Sequence, residues 1–282
     1  MKVESILEQL MYSTVPIETF NSDEDPIGLG TGFILSHSRD GNTYPYLVTN
    51  KHVIRGAASS RIIFTMARDR QPIMGQPYCL ELAKFGESFF PHPTNEVDVA
   101  VLPFGPFLKA IEEEKQREIF YKMIPSDMIP SSDALKDFDA LEEVTFVGYP
   151  AGIWDKKNLL PVFRKGITAT PITVDYQGQK QFLIDAAVFQ GSSGSPVFKY
   201  IPGWHMPRMG PFTVSPPRIY FLGVLASGYS MKKKMEVEIY SEPSKKVLIE
   251  YPGQALNLGI VFRAETIVEA IEANLKQKGL IQ

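Results

Sequence analysis

The sequence predicts an all-β protein, a sandwich or barrel framed by a helix at each end, and three observations carry that prediction. Short β-branched and aromatic runs recur between turn signals: GFILS, YPYLVTN, RIIFTMA, VDVAVLPF, EVTFVGYP, FRKGITATPITV, QFLIDAAVF, YFLGVLASG and LNLGIVF. Helical patterns do not alternate with them, which argues against a βαβ fold. Helical spacing gathers instead at the two ends and in one central stretch.

In chain order, Val3, Ile6, Leu7, Leu10 and Met11 fall at helical spacing with Glu4 and Glu8 on the other side, an amphipathic helix. A signal peptide needs an unbroken apolar run, and none stands there. No stretch approaches the ~18 consecutive apolar residues of a membrane span. Asp40-Gly41, between the first two runs, is a hairpin signal. Across residues 106–140 the pattern changes: LKAIEEEKQREIFYKM favours helix, and PSDMIPSSDALKDFD is rich in proline and serine. This stretch is expected to connect an N-terminal helix and first β-unit (1–105) to a second β-unit and closing helix (141–282). IPGWHMPRMGPFTVSPPR and EVEIYSEPSKKVLIEYP read as surface insertions, the second a hairpin. In ETIVEAIEANLKQKG, Ile267, Ile271 and Leu275 form an i, i+4 stripe before a Gly279 stop.

The 282 residues can bury about three quarters of their unfolded surface, in one large domain or two modest ones. Apolar content of 44% and charge of 22% are those of a soluble globular protein. A net charge of -3 gives no general attraction for nucleic acid or an anionic membrane. Lys232-Lys233-Lys234 is a local exception that reads as a solvated loop. A single cysteine, Cys79, precludes an intrachain disulfide and fits a reducing compartment, so a cytoplasmic protein is expected. GLGTGF, residues 28–33, lacks the third glycine of a dinucleotide fingerprint and precedes a strand, so no cofactor is expected from it. No histidine pair or Cys-x-x-Cys offers metal-ligand spacing.

The chemistry centres on FQGSSGSPVF. A Gly/Ser run is ordinarily a turn. A serine in it becomes a nucleophile only if a base takes its proton and a third group holds that base in one tautomer. Of four histidines, His37 lies in the polar hairpin SHSRDGNT, His92 in PHPT and His205 in GWHMPR. His52 alone follows directly on a strand, in YLVTNKHVI. Asp98 sits among apolar strand residues in VDVAVL, where a buried carboxylate is costly without a partner. The plainer readings are a histidine packed at a strand end and a carboxylate exposed at a strand edge. A nucleophile elbow reads G-x-S-x-G, with its acid and histidine after the serine. Here Ser195 takes the place of the last glycine, and both partners precede the serine, which sets that fold aside.

GTGFILS, TNKHVI, DVAVL, DAAVFQGSSGSP and FLGVLASG resemble the motifs of chymotrypsin-fold (trypsin-like) serine proteases, nearest to the bacterial trypsin-like and high-temperature-requirement branch. The resemblance covers about residues 12 to 275. It implies two antiparallel six-stranded β-barrels packed face to face, with the site between them. By the family's pattern of glycines and proline, here Gly191, Gly194 and Pro196, the nucleophile is Ser193, with His52 as base and Asp98 as orienting acid. The N–H groups of Gly191 and Ser193 form the implied oxyanion hole, where a side chain on Gly191 would crowd the loop. Ser192 and Ser195 have no catalytic role in that pattern.

The same likeness puts Ala187 at the base of a specificity pocket and Leu225, Ala226, Ser227 and Gly228 along one wall. Gly259 lies on the second wall, and Gln190 joins the substrate-binding residues. With no carboxylate among them, the expected P1 residue is small to medium and apolar, unless the insertions rebuild the pocket. Ser192 stands where secreted relatives carry an aspartate that receives a trimmed N-terminus, so activation by such trimming is not expected. The oxyanion loop would be set by packing or by a partner. A peptide-binding domain after the protease, frequent in the high-temperature-requirement branch, is not expected either. The implied activity is endopeptidase cleavage of protein or peptide through an acyl-enzyme, without metal or cofactor. No nucleic-acid or membrane partner is expected, whereas an activating partner or homo-oligomer is. The competing reading is a binding module on the same fold, proteolytically silent or switched on by a partner.

Overall fold

Two β-units, described by a computed structural model, are built from the runs named above. The structure describes residues 2–114, 118–205, 213–214, 216–231, 234–239, 242–250 and 254–281. The first unit holds β1 (Thr14–Phe20), β2 (Pro26–Arg39), β3 (Asn42–Thr49), β4 (Ser59–Arg68), β5 (Gln71–Ala83), β6 (Phe90–Pro91), β7 (Ala100–Pro103), β8 (Ile119–Phe120) and β9 (Ile124–Pro125). Its strand order is β5-β4-β1-β2-β3-β7-β6, with β8 on β4 and β9 on β2. The two-residue strands β6, β8 and β9 enlarge a set of six longer ones to nine. The second unit starts with β10 (Glu143–Gly148), β11 (Val162–Thr168), β12 (Gln181–Asp185) and β13 (Pro196–Ile201). After the small pair β14 (Trp204–His205) and β15 (Thr213–Val214) come β16 (Arg218–Met231), β17 (Lys234–Ile239), β18 (Glu242–Glu250) and β19 (Gln254–Arg263). Six of these close a barrel in the order β10-β11-β12-β19-β16-β13. β17 and β18 pair antiparallel as the expected insertion hairpin. Lys232 and Lys233 of the lysine run lie outside the described residues.

β2 explains how the units are joined. Phe33, Ile34 and Leu35 are all buried, because this strand is covered on both faces. Ile34 packs inside the first unit with Ile17, Leu47 and Ile62. Phe33 and Leu35 face a second cluster shared with Phe198 and Phe221 of the barrel and with Ile267, Ile271 and Leu275. Those last three lie on the C-terminal helix, Ala264–Gln277, which Gly279 ends at φ +66°. Its apolar stripe therefore completes a core common to both units. Asp40 (φ 52°) and Gly41 (φ 76°) form the expected two-residue hairpin turn, with Arg39 paired to Asn42.

Local chemistry shaped the ends and the centre. The N-terminal helix runs Ile6–Leu10 under a capping box in which Ser5 and Glu8 satisfy each other's backbone N–H. In the central stretch a helix covers Gly105–Glu113 and buries Leu108 and Ile111. Ile119 and Phe120, in the same charged run, pair instead with Thr65 and Met66 on β4. A β-branched and an aromatic residue suit that ladder better than a helix. β1 and β5 carry prolines (Pro16, Pro72, Pro77), which hide strands from a pattern reading. Among the described residues no helix is long and apolar enough to cross a membrane.

Candidate active site

β3 delivers the histidine. Its buried run ends at Thr49, and the chain turns into a single helical turn, Lys51–Ile54, that carries His52. The residues beside His52 hold the loop that carries Asp98. Asn50 Nδ2 donates to the Asp98 carbonyl (2.6 Å), and Lys51 Nζ donates to the Thr94 carbonyl (2.8 Å). Burial pushes the Lys51 ammonium below the ordinary lysine range, with Asp98 and Glu96 opposing that shift.

Asp98 then meets His52 twice. Its Oδ1 accepts the His52 backbone N–H (3.1 Å), and its Oδ2 lies 2.5 Å from Nδ1. A carboxylate at Nδ1 fixes the tautomer and leaves Nε2 as the basic nitrogen. The two side chains are 38% and 25% exposed, so the pair is open to a substrate and not sealed in the core.

The serine loop joins β12 to β13 through two tight turns, Ser192 N–H to Phe189 O and Ser195 N–H to Ser192 O, each 3.0 Å. Gly191 (φ +87°) and Gly194 (φ +89°) take left-handed dihedrals. A Cβ on Gly191 would lie 2.5 Å from the Tyr149 carbonyl oxygen, and one on Gly194 would collide with the Thr31 carbonyl. Glycine is required at both for conformation and for space.

Three of the loop's carbonyls are held by the Thr31 and Ala151 segments. Ala151 N–H donates to Gln190 O (2.5 Å), and Thr31 donates its hydroxyl to Gly191 O (2.8 Å) and its N–H to Ser193 O (2.9 Å). Among the described residues, the N–H groups of Gly191 and Ser193 have no protein acceptor. Two such donors on a held loop are what a developing oxyanion needs. Ser192 and Ser195 are buried, and among the described residues their hydroxyls have no partner.

Ser193 Oγ donates to the Ala226 carbonyl at 2.6 Å. Its proton is thus engaged by the Ala226 carbonyl in this state and is not given to His52. Ala226 and Asp98 line one cavity of about 300 Å³ with Glu96, Gln181 and Ile260, so the serine's acceptor and the histidine's carboxylate share a space.

The walls of the implied pocket meet at two glycines. Gly228 and Gly259 are paired across β16 and β19, and Ser227 pairs through its backbone with Ile260. A Cβ on Gly259 would lie 2.7 Å from Val188 Cγ2, and one on Gly228 would lie 3.3 Å from Val188 Cβ. Val188 therefore fills the gap between the walls. Sequence reasoning missed it because QFLIDAAVF reads as strand to its end. Ala187 precedes it, half-buried, and Gln190 is exposed.

Two other histidines serve the C-terminal helix. His37 is buried with its Nε2 3.8 Å from Glu272, beyond hydrogen-bond reach, and His92 Nε2 lies 3.3 Å from Glu269. Burial lowers the His37 pKa, Glu272 opposes the shift and Arg39 adds to it. Among the described residues no group of three or more His, Cys, Asp or Glu could hold a metal ion.

Residues 30–201, which include His52, Asp98 and Ser193, match the family of the trypsin-like peptidase domain. The chain belongs to the trypsin-like peptidase family. As a trypsin-like peptidase it has the mostly-β, chymotrypsin-like architecture that the motifs implied: a closed six-strand barrel, a second sheet and helices at both ends. No curated protein matches this trypsin-like peptidase. Solved structures similar to it include the HtrA-type protease AlgW with tripeptide (TM-score 0.46, 16% identity, 96% of this chain and 63% of that one). The Rv3671c protease from M. tuberculosis, active form, is similar at TM-score 0.42 and 15% identity, over 98% of this chain and 85% of that one. The thermostable serine protease AL20 from an extremophilic microorganism is similar at TM-score 0.43 and 14% identity, over 93% and 97%. This chain thus spans less than two thirds of the first of these structures.

Proposed function

We propose that this trypsin-like peptidase is a serine endopeptidase that opens peptide bonds through an acyl-enzyme on Ser193. The observation that carries the reading is the double hold of Asp98 on His52, which makes Nε2 a proton acceptor of fixed orientation. Ser193 Oγ leaves the Ala226 carbonyl and bonds to the substrate carbonyl carbon as its proton passes to Nε2. The carbonyl oxygen takes the negative charge and meets the N–H groups of Gly191 and Ser193. His52 then gives its proton to the departing amine, the C–N bond breaks, and a water repeats the sequence on the ester. Asp98 stabilises the imidazolium throughout.

The substrate is a protein or peptide with a small-to-medium apolar P1 residue. Val188 supports this preference by occupying the space between Gly228 and Gly259. Cytoplasmic residence belongs to the same proposal and is tested by cell fractionation. A fluorophosphonate probe tests the chemistry: labelling is expected in the wild type, lost in Ser193→Ala and reduced in His52→Ala. Labelling that survives Ser193→Ala refutes the assignment.

The Ser193–Ala226 hydrogen bond favours a second reading, a resting site aligned only by substrate, an activating partner or a second copy of the chain. The isolated chain labels slowly in that case and faster once a peptide or partner is added. A rate unmoved by either sinks this second reading.

A further inference from the structure

We infer that Thr31 is a positioning residue that sets the oxyanion donors from across the interface between the β-units. The inference rests on the reading of Gly191 and Ser193 given above. Thr31 lies on β2 of the first unit and is fully buried. It reaches the serine loop of the second unit through two donors. Its hydroxyl donates to Gly191 O at 2.8 Å, and its N–H donates to Ser193 O at 2.9 Å. One residue thus holds the carbonyls of both residues whose N–H groups would face the oxyanion.

The hydroxyl has a second task. It accepts the Tyr149 N–H at 3.2 Å, two residues before Ala151, whose own N–H holds Gln190 O. Both peptide planes flanking the Gly191 Cα are therefore fixed, one by Thr31 directly and one through the Tyr149–Ala151 segment that Thr31 anchors. A flip of the Gln190–Gly191 peptide would turn its N–H away and forfeit the Ala151 bond. Thr31 is held in turn, because Thr49 Oγ1 donates to its carbonyl at 2.8 Å. Gly148 permits the approach: a Cβ there would lie 2.7 Å from Thr31 Oγ1.

A buried threonine that only stabilises the barrel supplies a matched control. Thr168 Oγ1 donates to Ala140 O and accepts from Glu142 N, each at 2.9 Å. Thr31→Val and Thr168→Val thus each remove one donated and one accepted hydrogen bond while keeping the branched shape. The assay uses full-length protein normalised by fluorophosphonate active-site titration, with kcat and KM on a peptide substrate and the affinity of a peptide boronate that forms a tetrahedral adduct.

Thr31→Val is expected to lower kcat by ~10–100-fold with KM within about 3-fold, short of the ~10²–10³ for outright loss of an oxyanion donor. Boronate affinity falls by the same factor, and Thr31→Ser restores both. Thr168→Val lowers the melting temperature comparably but leaves kcat and boronate affinity in place. The inference is overturned if Thr31→Val matches Thr168→Val, losing stability while kcat per titrated site stays within about 3-fold of wild type. If Thr31→Val does not fold, Thr31→Ala is judged by the same criteria. Activity that persists in Ser193→Ala overturns the site assignment itself, a failure separable from that of Thr31.

Discussion

Adding one methyl group to Gly191 tests the oxyanion assignment most directly. In Gly191→Ala the new Cβ would stand 2.5 Å from the Tyr149 carbonyl oxygen and 3.2 Å from the Ala151 nitrogen, at φ +87°. Neither neighbour is a flexible side-chain tip, so the loop must move. The left-handed dihedral alone costs about 1–2 kcal/mol for an alanine. Relief of the clash swings the Gly191 N–H from its place, and losing one such donor raises the barrier by about 2.7–4 kcal/mol, or ~10²–10³ in kcat. Gly41→Ala is the control: its φ is +76°, but a Cβ there meets nothing within 4 Å. Thermal unfolding should show both variants destabilised, while steady-state kinetics on a peptide amide should show the kcat loss in Gly191→Ala only. A Gly191→Ala protein that folds and keeps kcat within about 5-fold of wild type would refute the assignment.

Other outcomes follow from the same geometry. Asp98→Asn should lower kcat about 10⁴-fold with KM little changed, because the Nδ1 tautomer is no longer enforced; a loss under 10-fold removes Asp98 from the triad. Val188→Ala should open the gap between Gly228 and Gly259, raising kcat/KM for a P1 leucine about 10-fold relative to a P1 alanine; an unchanged ratio in a peptide-library profile means the pocket lies elsewhere. Burial lowers the pKa of His37, so the folded state favours the neutral ring while the unfolded chain titrates normally. Its contribution to stability is present above the ordinary histidine pKa and is lost as pH falls from there through the lower folded-state pKa. Melting temperature should therefore drop from about pH 7 to about pH 5, and less steeply in His37→Phe, with Glu272 and Arg39 the charged neighbours at that site; parallel curves for the two proteins would exclude His37 as a cause.

Much of the site was legible because its chemistry is uncommon in a sequence. A histidine directly after a buried strand, a carboxylate among apolar residues and glycines around Ser193 each violate a local preference, and such violations gather where the chain has work to do. Val188 and Thr31 violate nothing. Val188 is an ordinary β-branched residue, and only the tertiary approach of Gly228 and Gly259 gives it a role. Thr31 sits inside GLGTGF, which lacks the third glycine of a cofactor fingerprint and marks only an opening strand, and its reach to Gly191 spans 160 positions. The strands at Thr14–Phe20 and Gln71–Ala83 were hidden by their prolines. The predicted charged helix stopped early because Ile119 and Phe120 found a sheet edge. The direction of the Ser193 hydroxyl depends on a rotamer, which no residue pattern encodes.

The C-terminal helix has a consequence for how the molecule is made. Its Ile267, Ile271 and Leu275 finish a core to which both β-units contribute, yet they leave the ribosome after every part of the site. A nascent chain already holding His52, Asp98 and Ser193 would expose that apolar seam until residues 264–277 emerged, so its two halves would remain loosely joined during synthesis. The seam between the two β-units would close only once those residues had emerged to pack against it.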